Sequence, residues 1–293
     1  MTEFKELQLT DMETLRPYFE KYGNGINDNT LGTVMMWRKV SFTEFVIVNN
    51  TLIRKMRYFN GEIVFSIPLG EDVEGGLRWT KDYCEKHNLP FIVAFVREED
   101  KELISSMFET ESVQETDWGD YIYNISDLSE MKGKKYNTQR NHINAFKRDY
   151  PDWHIKSLDA TNIKQACEFL AYYSKIKSKE AQSYQRAEIK MVHEVLEHLD
   201  LYKMRGICLY AKGRIVGFTL GEITADTLFV HIEKADALVR GAYPMLVTEF
   251  TKQNLGKASL VNREEDMGDL GLRKSKLKYR PIEIIPKFTV RII

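Results

Sequence analysis

The strongest constraint on this chain is an order of elements that occurs twice. Apolar periodicity first predicts a helix over Asp11–Lys21, with Thr10 as its N-cap, and a short helix over Thr30–Arg38. Three strand-length segments follow, Glu44–Val48, Leu52–Tyr58 and Ile63–Ile67, parted by the turn pairs Asn49-Asn50 and Asn60-Gly61. A helix over Val73–His87, the strand Phe91–Val96, a helix over Asp100–Phe108 and strand material ending at Tyr121–Ile125 close the first stretch. The second stretch opens on a strand over Trp153–Leu158 and helices over Asn162–Lys175 and Tyr184–His198. The strands Ile207–Ala211, Arg214–Ile223 and Thr227–Ile232 come next, the first two joined by Lys212-Gly213. A helix over Tyr243–Asn254, a strand at Ala258–Val261, a helix near Leu270–Leu277 and a strand over Ile282–Val290 end it. Tight turns make each three-strand run antiparallel, and the strand–helix–strand step becomes a right-handed parallel crossover. The expected fold is therefore α/β with a mixed sheet, duplicated in tandem. The expected division is a domain over 1–130, a basic linker helix over 131–152 and a second domain over 153–293.

Composition limits the setting. Basic and acidic residues number 42 and 43, giving a formal net charge of -1. That balance opposes broad, non-specific nucleic-acid binding, which needs a positive field. The first residues, MTEFKELQLTDMETL, carry acids and no apolar run, so no signal peptide is expected. The longest apolar runs are strand-sized, short of the roughly 18 residues of a membrane helix. Cys84, Cys167 and Cys208 are far apart and show no zinc spacing. A cytoplasmic protein without a metal or a membrane span is expected. His193 and His198 are five apart and match no metalloprotease spacing.

Three stretches hold candidate chemistry. At Val230–Asp236 followed by Arg240-Gly241-Ala242-Tyr243-Pro244, a strand ends, a loop turns and a helix begins. Gly241 can take positive φ there, and the amides around Ala242 and Tyr243, with the charge of Arg240, suit a pyrophosphate. The competing reading is an ordinary helix start. From Asn262 to Pro281, acids cluster first, and then Arg273, Lys274, Lys276, Lys278 and Arg280 follow with no acid among them. A helix with charges matched to its dipole explains that order equally well. Lys132–Arg148 is basic and amphipathic, with Ile143, Phe146 and Tyr150 on one stripe. It reads as a solvated linker helix or as a phosphate or RNA contact.

Together these stretches resemble a known family. Gly133-Lys134-Lys135 with Arg140–Phe146, Ile232–Asp236 with Gly241-Ala242-Tyr243, and Asn262–Gly268 with Gly271–Lys276 and Tyr279-Arg280-Pro281 resemble an uncharacterised bacterial family similar to the C-terminal domain of phosphatidylglycerol lysyltransferases. The resemblance implies a tandem pair of GNAT-like acyl-CoA N-acyltransferase folds. It also implies a donor site for coenzyme A or acyl-CoA at Arg240, Gly241, Ala242 and Tyr243, with Asn262 on the pantetheine arm and Arg273 and Lys274 alongside. Tyr279 is the match to the usual general acid. The usual loop has Gln or Arg three residues before its first Gly, where this chain has Leu238. The lysyltransferases themselves use aminoacyl-tRNA.

The expected activity is transfer of an acyl or aminoacyl group to a small-molecule or peptide amine. A carboxylate near the amine would bind its ammonium form and accept a proton, and Glu233, Asp266 and Glu222 are the candidates. Backbone amides at the parted strands would stabilise the oxyanion. Coenzyme A is the favoured donor. The alternatives are an aminoacyl-tRNA-dependent transferase that uses the Lys132–Arg148 helix, and a non-catalytic nucleotide-binding module.

Overall fold

Asn49 and Asn50 lie at φ 45° and 56°, and Lys212 and Gly213 at 54° and 68°. This paired left-handed geometry is what a two-residue hairpin turn needs to match the twist of its strands. A computed structural model of the chain describes residues 3–58, 60–177 and 183–293. In it the two hairpins extend into the expected antiparallel runs: Glu44–Val48, Thr51–Arg57 and Ile63–Phe65 in one sheet, and Arg205–Ala211, Arg214–Thr224 and Thr227–Ala235 in the other. Each run continues through a helix, Val73–His87 or Ala242–Asn254, into a strand parallel to its last member. Phe65 is paired with Val93 in the first sheet, and Thr227–Phe229 with Leu260–Asn262 in the second. The repeated order is thus a repeated topology: a mixed α/β fold in tandem.

The chain forms two compact units, but their boundaries differ from 1–130, 131–152 and 153–293. One unit holds Met1–Asp120, Glu265–Leu270 and Ile284–Ile293, and the other holds Tyr121–Glu264 and Gly271–Glu283. The reason is an exchange of last strands. The first half ends in Thr110–Gln114 and Asp120–Asn124, and the latter lies antiparallel to Leu260–Asn262 in the second sheet. The single strand expected over Ile282–Val290 is two, Glu283–Ile285 and Phe288–Ile292, parted at Pro286, which lacks a donor for a ladder. Phe288–Ile292 runs antiparallel between Ile92–Val96 and Thr110–Gln114 in the first sheet.

The basic stretch is not a solvated linker. It forms a helix over Asn137–Asp149 whose Ile143, Ala145 and Phe146 are buried. Ile143 and Phe146 share one core with Met245, Leu246 and Phe250 of helix Ala242–Asn254. Its charges are partly spent inside the unit: Arg140 donates to the carbonyls of Met131 and Gly133 at 2.5 and 2.6 Å, and Lys135 pairs with Asp127 at 2.9 Å.

Candidate functional site

In each unit two parallel neighbours part toward their C-terminal ends, and the two gaps are filled differently. In the second unit the strand Thr227–Ala235 runs on past Phe229, its last partner in the parallel ladder. Beside this run lie His231, Glu233, Arg263 and Glu264, and their charges are paired. His231 Nδ1 meets Glu264 Oε1 at 2.8 Å, and Nε2 meets Glu222 Oε1 at 3.0 Å. Burial would lower its pKa, but bonds to Glu222 and Glu264 outweigh that and push it up to about 10. Arg263 donates to Glu233 Oε1 at 2.9 Å and stands 4.7 Å over the Tyr279 ring and 5.9 Å over that of Tyr123. Lys276 is buried, and its Nζ donates to the carbonyls of Arg263 and Glu264 at 2.5 and 2.9 Å, pinning that turn.

The structure holds the three candidate acids apart. Glu233 lies opposite Thr219 and Glu222 opposite Phe229, so they sit at different heights, and a different cation binds each. Lys234, next to Glu233 in the strand, pairs with Glu188 at 2.5 Å. Asp266 belongs to the first unit, where it is buried and its Oδ1 accepts from the Gly268 amide at 3.0 Å. Asn262 is buried and caps the Glu264 amide at 2.7 Å. Tyr279 is buried, and burial pushes its hydroxyl above the usual tyrosine range against the pull of Arg263. Lys274 is exposed and Arg273 half-buried on the helix Leu270–Lys278.

A pyrophosphate would need the turn at Arg240–Tyr243 to present free amides and positive field, and part of the loop is already engaged. The amides of Leu238, Val239 and Ala242 are bonded within the loop, to Asp236 Oδ1, Asp236 O and Val239 O. The buried Asp236 carboxylate is the anion this loop holds, fixed by Arg214 at 2.8 Å. Gly241 has φ 86°, and a Cβ there would lie 2.4 Å from His142 O and 2.9 Å from Phe146 Cβ. Its lack of a side chain admits the neighbouring helix. Gly241→Val should therefore cost several kcal/mol of stability through overpacking and left-handed strain, read as a fall in the urea midpoint, instead of weakening ligand binding in a folded protein.

In the first unit the gap is open. The parallel ladder there is one pair long, and Ser66 leaves it to donate its amide to Arg54 O at 3.0 Å. A cavity of about 500 Å³ occupies the space, walled by Trp37, Met56, Tyr58, Phe95 and Trp118, with Asp28, Arg54, Ser66 and Glu265 among its polar residues. Beneath it Lys287 is wholly buried. Its Nζ reaches Asp28 at 2.5 Å, Asp120 at 2.6 Å and Glu265 at 3.7 Å. Asn27 ties the group together: its amide N donates to Asp120 at 2.7 Å, its Nδ2 to Glu265 at 2.8 Å, and its Oδ1 accepts from Lys287 at 2.5 Å. Sequence reasoning missed this centre. Only Glu265 fell inside a quoted motif, and no local spacing links the others.

This duplicated fold is of the tandem GNAT type, and the comparisons agree. The chain matches the family model described as phosphatidylglycerol lysyltransferase, C-terminal, over residues 19–291, and belongs to that family. It is 25% identical over 193 residues to an uncharacterised protein of Mycoplasmoides gallisepticum, a match covering 66% of this chain and 62% of that protein's length. A conserved protein of unknown function from Bacteroides thetaiotaomicron VPI-5482 is similar over 100% of both chains, with 29% identity and a TM-score of 0.93. L-PGS from Bacillus licheniformis shares the fold over 96% of this chain and 91% of its own, with 14% identity and a TM-score of 0.68. A tandem GNAT protein from the clavulanic acid biosynthesis pathway shares it at a TM-score of 0.50, with 9% identity, over 99% of this chain and 98% of its own. Among the described residues no helix is long and apolar enough to cross a membrane.

Proposed function

We propose that this chain transfers an aminoacyl group from a carrier to an amine, and that the open gap of the first unit is a substrate cleft. The observation that carries this reading is the cavity of about 500 Å³ in the first gap, in the size range of small-ligand sites. Among the described residues the second gap is lined by paired charges. Membership of a family whose lysyltransferases use aminoacyl-tRNA supports that donor, and the self-bonded loop at 236–242 weighs against acyl-CoA. The amine must lose its proton to attack, and the developing oxyanion needs donors fixed in place beforehand. The test is to supply the purified chain with a pool of aminoacyl-tRNAs or with acetyl-CoA, together with a panel of amines, and to read products by mass spectrometry. Aminoacylated amine from the tRNA arm alone is expected. Acetylated amine would transfer the donor assignment to coenzyme A, and no product from either would leave a binding module.

A second reading puts transfer at the gap of the second unit, with Glu233 as the carboxylate that binds the ammonium and takes its proton. It is favoured by the place of Glu233 on the strand lining that gap, half-buried beside Arg263. The readings separate in Glu233→Gln. The first expects turnover within about twofold of wild type. The second expects a loss of roughly a hundredfold or more with the fold intact.

A further inference from the structure

The geometry points to the cavity of the first unit as a binding site for a small carboxylate carried on a flat apolar body. Its walls supply the second half of that description. Phe95 packs at 5.5 Å from the Tyr58 ring and 5.3 Å from that of Trp118, and Trp37 and Met56 complete an apolar slot. The polar residues supply the first half, through what they leave unmatched. Arg54 is 3% exposed, and its hydrogen-bond partners are uncharged: Nη1 donates to the Asp28 carbonyl at 2.9 Å and Nη2 to Asn29 Oδ1, while the Asp28 carboxylate, held by Lys287, acts on it only through space. Its Nε–H meets no acceptor, and neither does the hydroxyl of Ser66, which is 5% exposed. Both residues line the cavity. Buried donors without acceptors are rare in folded proteins and call for a partner.

The nearby acids are already engaged. Asp28 Oδ2 is on Lys287, and Glu265 Oε2 accepts from Asn27. An ammonium ligand would have to displace Lys287 from carboxylates it already holds, whereas a carboxylate oxygen would meet Arg54 Nε and Ser66 Oγ, both vacant. A guanidinium edge suits a carboxylate geometrically as well as electrically. At the mouth, Arg57 stands 5.5 Å over the ring of Phe42, adding positive charge on the path in. Phe42 is 64% exposed. Two bulky lining residues, Phe42 at φ 48° and Phe95 at φ 55°, hold left-handed backbone. Such strain in a residue with a Cβ is uncommon and gathers at ligand sites.

A simple acid and an amino acid that offers the amine to be acylated share the carboxylate and the apolar body, and the test separates them. The proposal deepens the reading of this gap as a substrate cleft, so its test reads binding without turnover. Phenylacetate, phenylalanine and phenethylamine are titrated into the full chain by calorimetry. Both acids should bind, and phenethylamine should bind at least about tenfold more weakly. Phenylalanine tighter than phenylacetate supports an amino-acid ligand, and equal affinity supports a simple acid. Arg54→Met should abolish binding, but it also cuts bonds to Asp28 and Asn29. Ser66→Ala avoids that problem, because the hydroxyl it removes bonds to nothing. It should keep the wild-type melting temperature or raise it, while weakening phenylacetate about tenfold. Phenethylamine binding as tightly as phenylacetate, or unchanged affinity in Ser66→Ala, would overturn the assignment. A chain that binds the acids and transfers nothing would leave it standing and defeat the transfer reading.

Discussion

Replacing Lys287 with methionine is expected to cost about 3–5 kcal/mol of stability, the usual penalty for removing one partner of a buried ionic group. The ammonium lies wholly inside, within 2.6 Å of both Asp28 and Asp120, and Asp120 is itself fully buried. Burial would lower the Lys287 pKa, but the carboxylates of Asp120, Asp28 and Glu265 outweigh it and hold the group above the ordinary lysine range. Asp28 already resists ionisation in the fold, because burial holds its carboxyl above the ordinary range against the pull of Lys287 and Arg54. Removing Lys287 takes away the larger of those two pulls, so folding of the variant takes up more protons and its stability increases as pH falls. Lys287→Met should therefore recover part of its loss between pH 7 and 5, measured by urea unfolding. A loss of under about 1 kcal/mol, or one independent of pH, would show that the cluster does not hold the floor of the cavity.

The elements were legible in the sequence because their signals are local. Asn49-Asn50 and Lys212-Gly213 carry the residue types that left-handed turns select, and strand-length apolar runs flank them, so both antiparallel runs could be read directly. The partner of a strand is a different kind of fact. Asp120–Asn124 and Phe288–Ile292 look like strands from their composition, but nothing in them says that each joins the sheet of the other half. Hence the boundaries were misplaced. The same limit hid the centre under the cavity. Asp28, Arg54, Asp120, Glu265 and Lys287 are dispersed over most of the chain and meet only after the last strands are exchanged. Arg54 left one local trace, a cation in the strand Thr51–Arg57 directly after Leu52 and Ile53, both buried. The turn at Gly241 carries two signals at once. Its sequence fits a phosphate loop, and its positive φ also serves close helix packing against His142 O, a contact no local pattern announces.

His231 should make the protein lose stability as pH rises from about 6.5 toward 10. Both ring nitrogens meet carboxylate oxygens, at 2.8 and 3.0 Å. An ionised carboxylate only accepts, so both nitrogens must donate, and the ring is an imidazolium. In the unfolded chain the same ring has a pKa near 6.5, against about 10 in the fold. The folded state therefore keeps a proton that the unfolded state has released. The resulting stabilisation is complete below the unfolded value and disappears as pH climbs through the folded one. A shift of this size corresponds to several kcal/mol at most, on the order of 1.4 kcal/mol for each pH unit, and burial leaves little solvent to screen it. A permanently charged ring cannot serve as a general base near neutral pH, so His231 holds Glu222 and Glu264 in place and keeps Glu222 occupied. His231→Gln removes the cation between the two carboxylates, at an expected cost of about 3–5 kcal/mol at pH 7. Other groups also titrate above pH 9, so the informative quantity is the difference between variant and wild type. Urea unfolding of both proteins at pH 6.5, 8 and 9.5 should show the gap narrowing with pH, because only the wild type has this proton to lose. Parallel profiles across that range would mean that the ring is neutral in the fold and that one of its two carboxylate contacts is not a hydrogen bond.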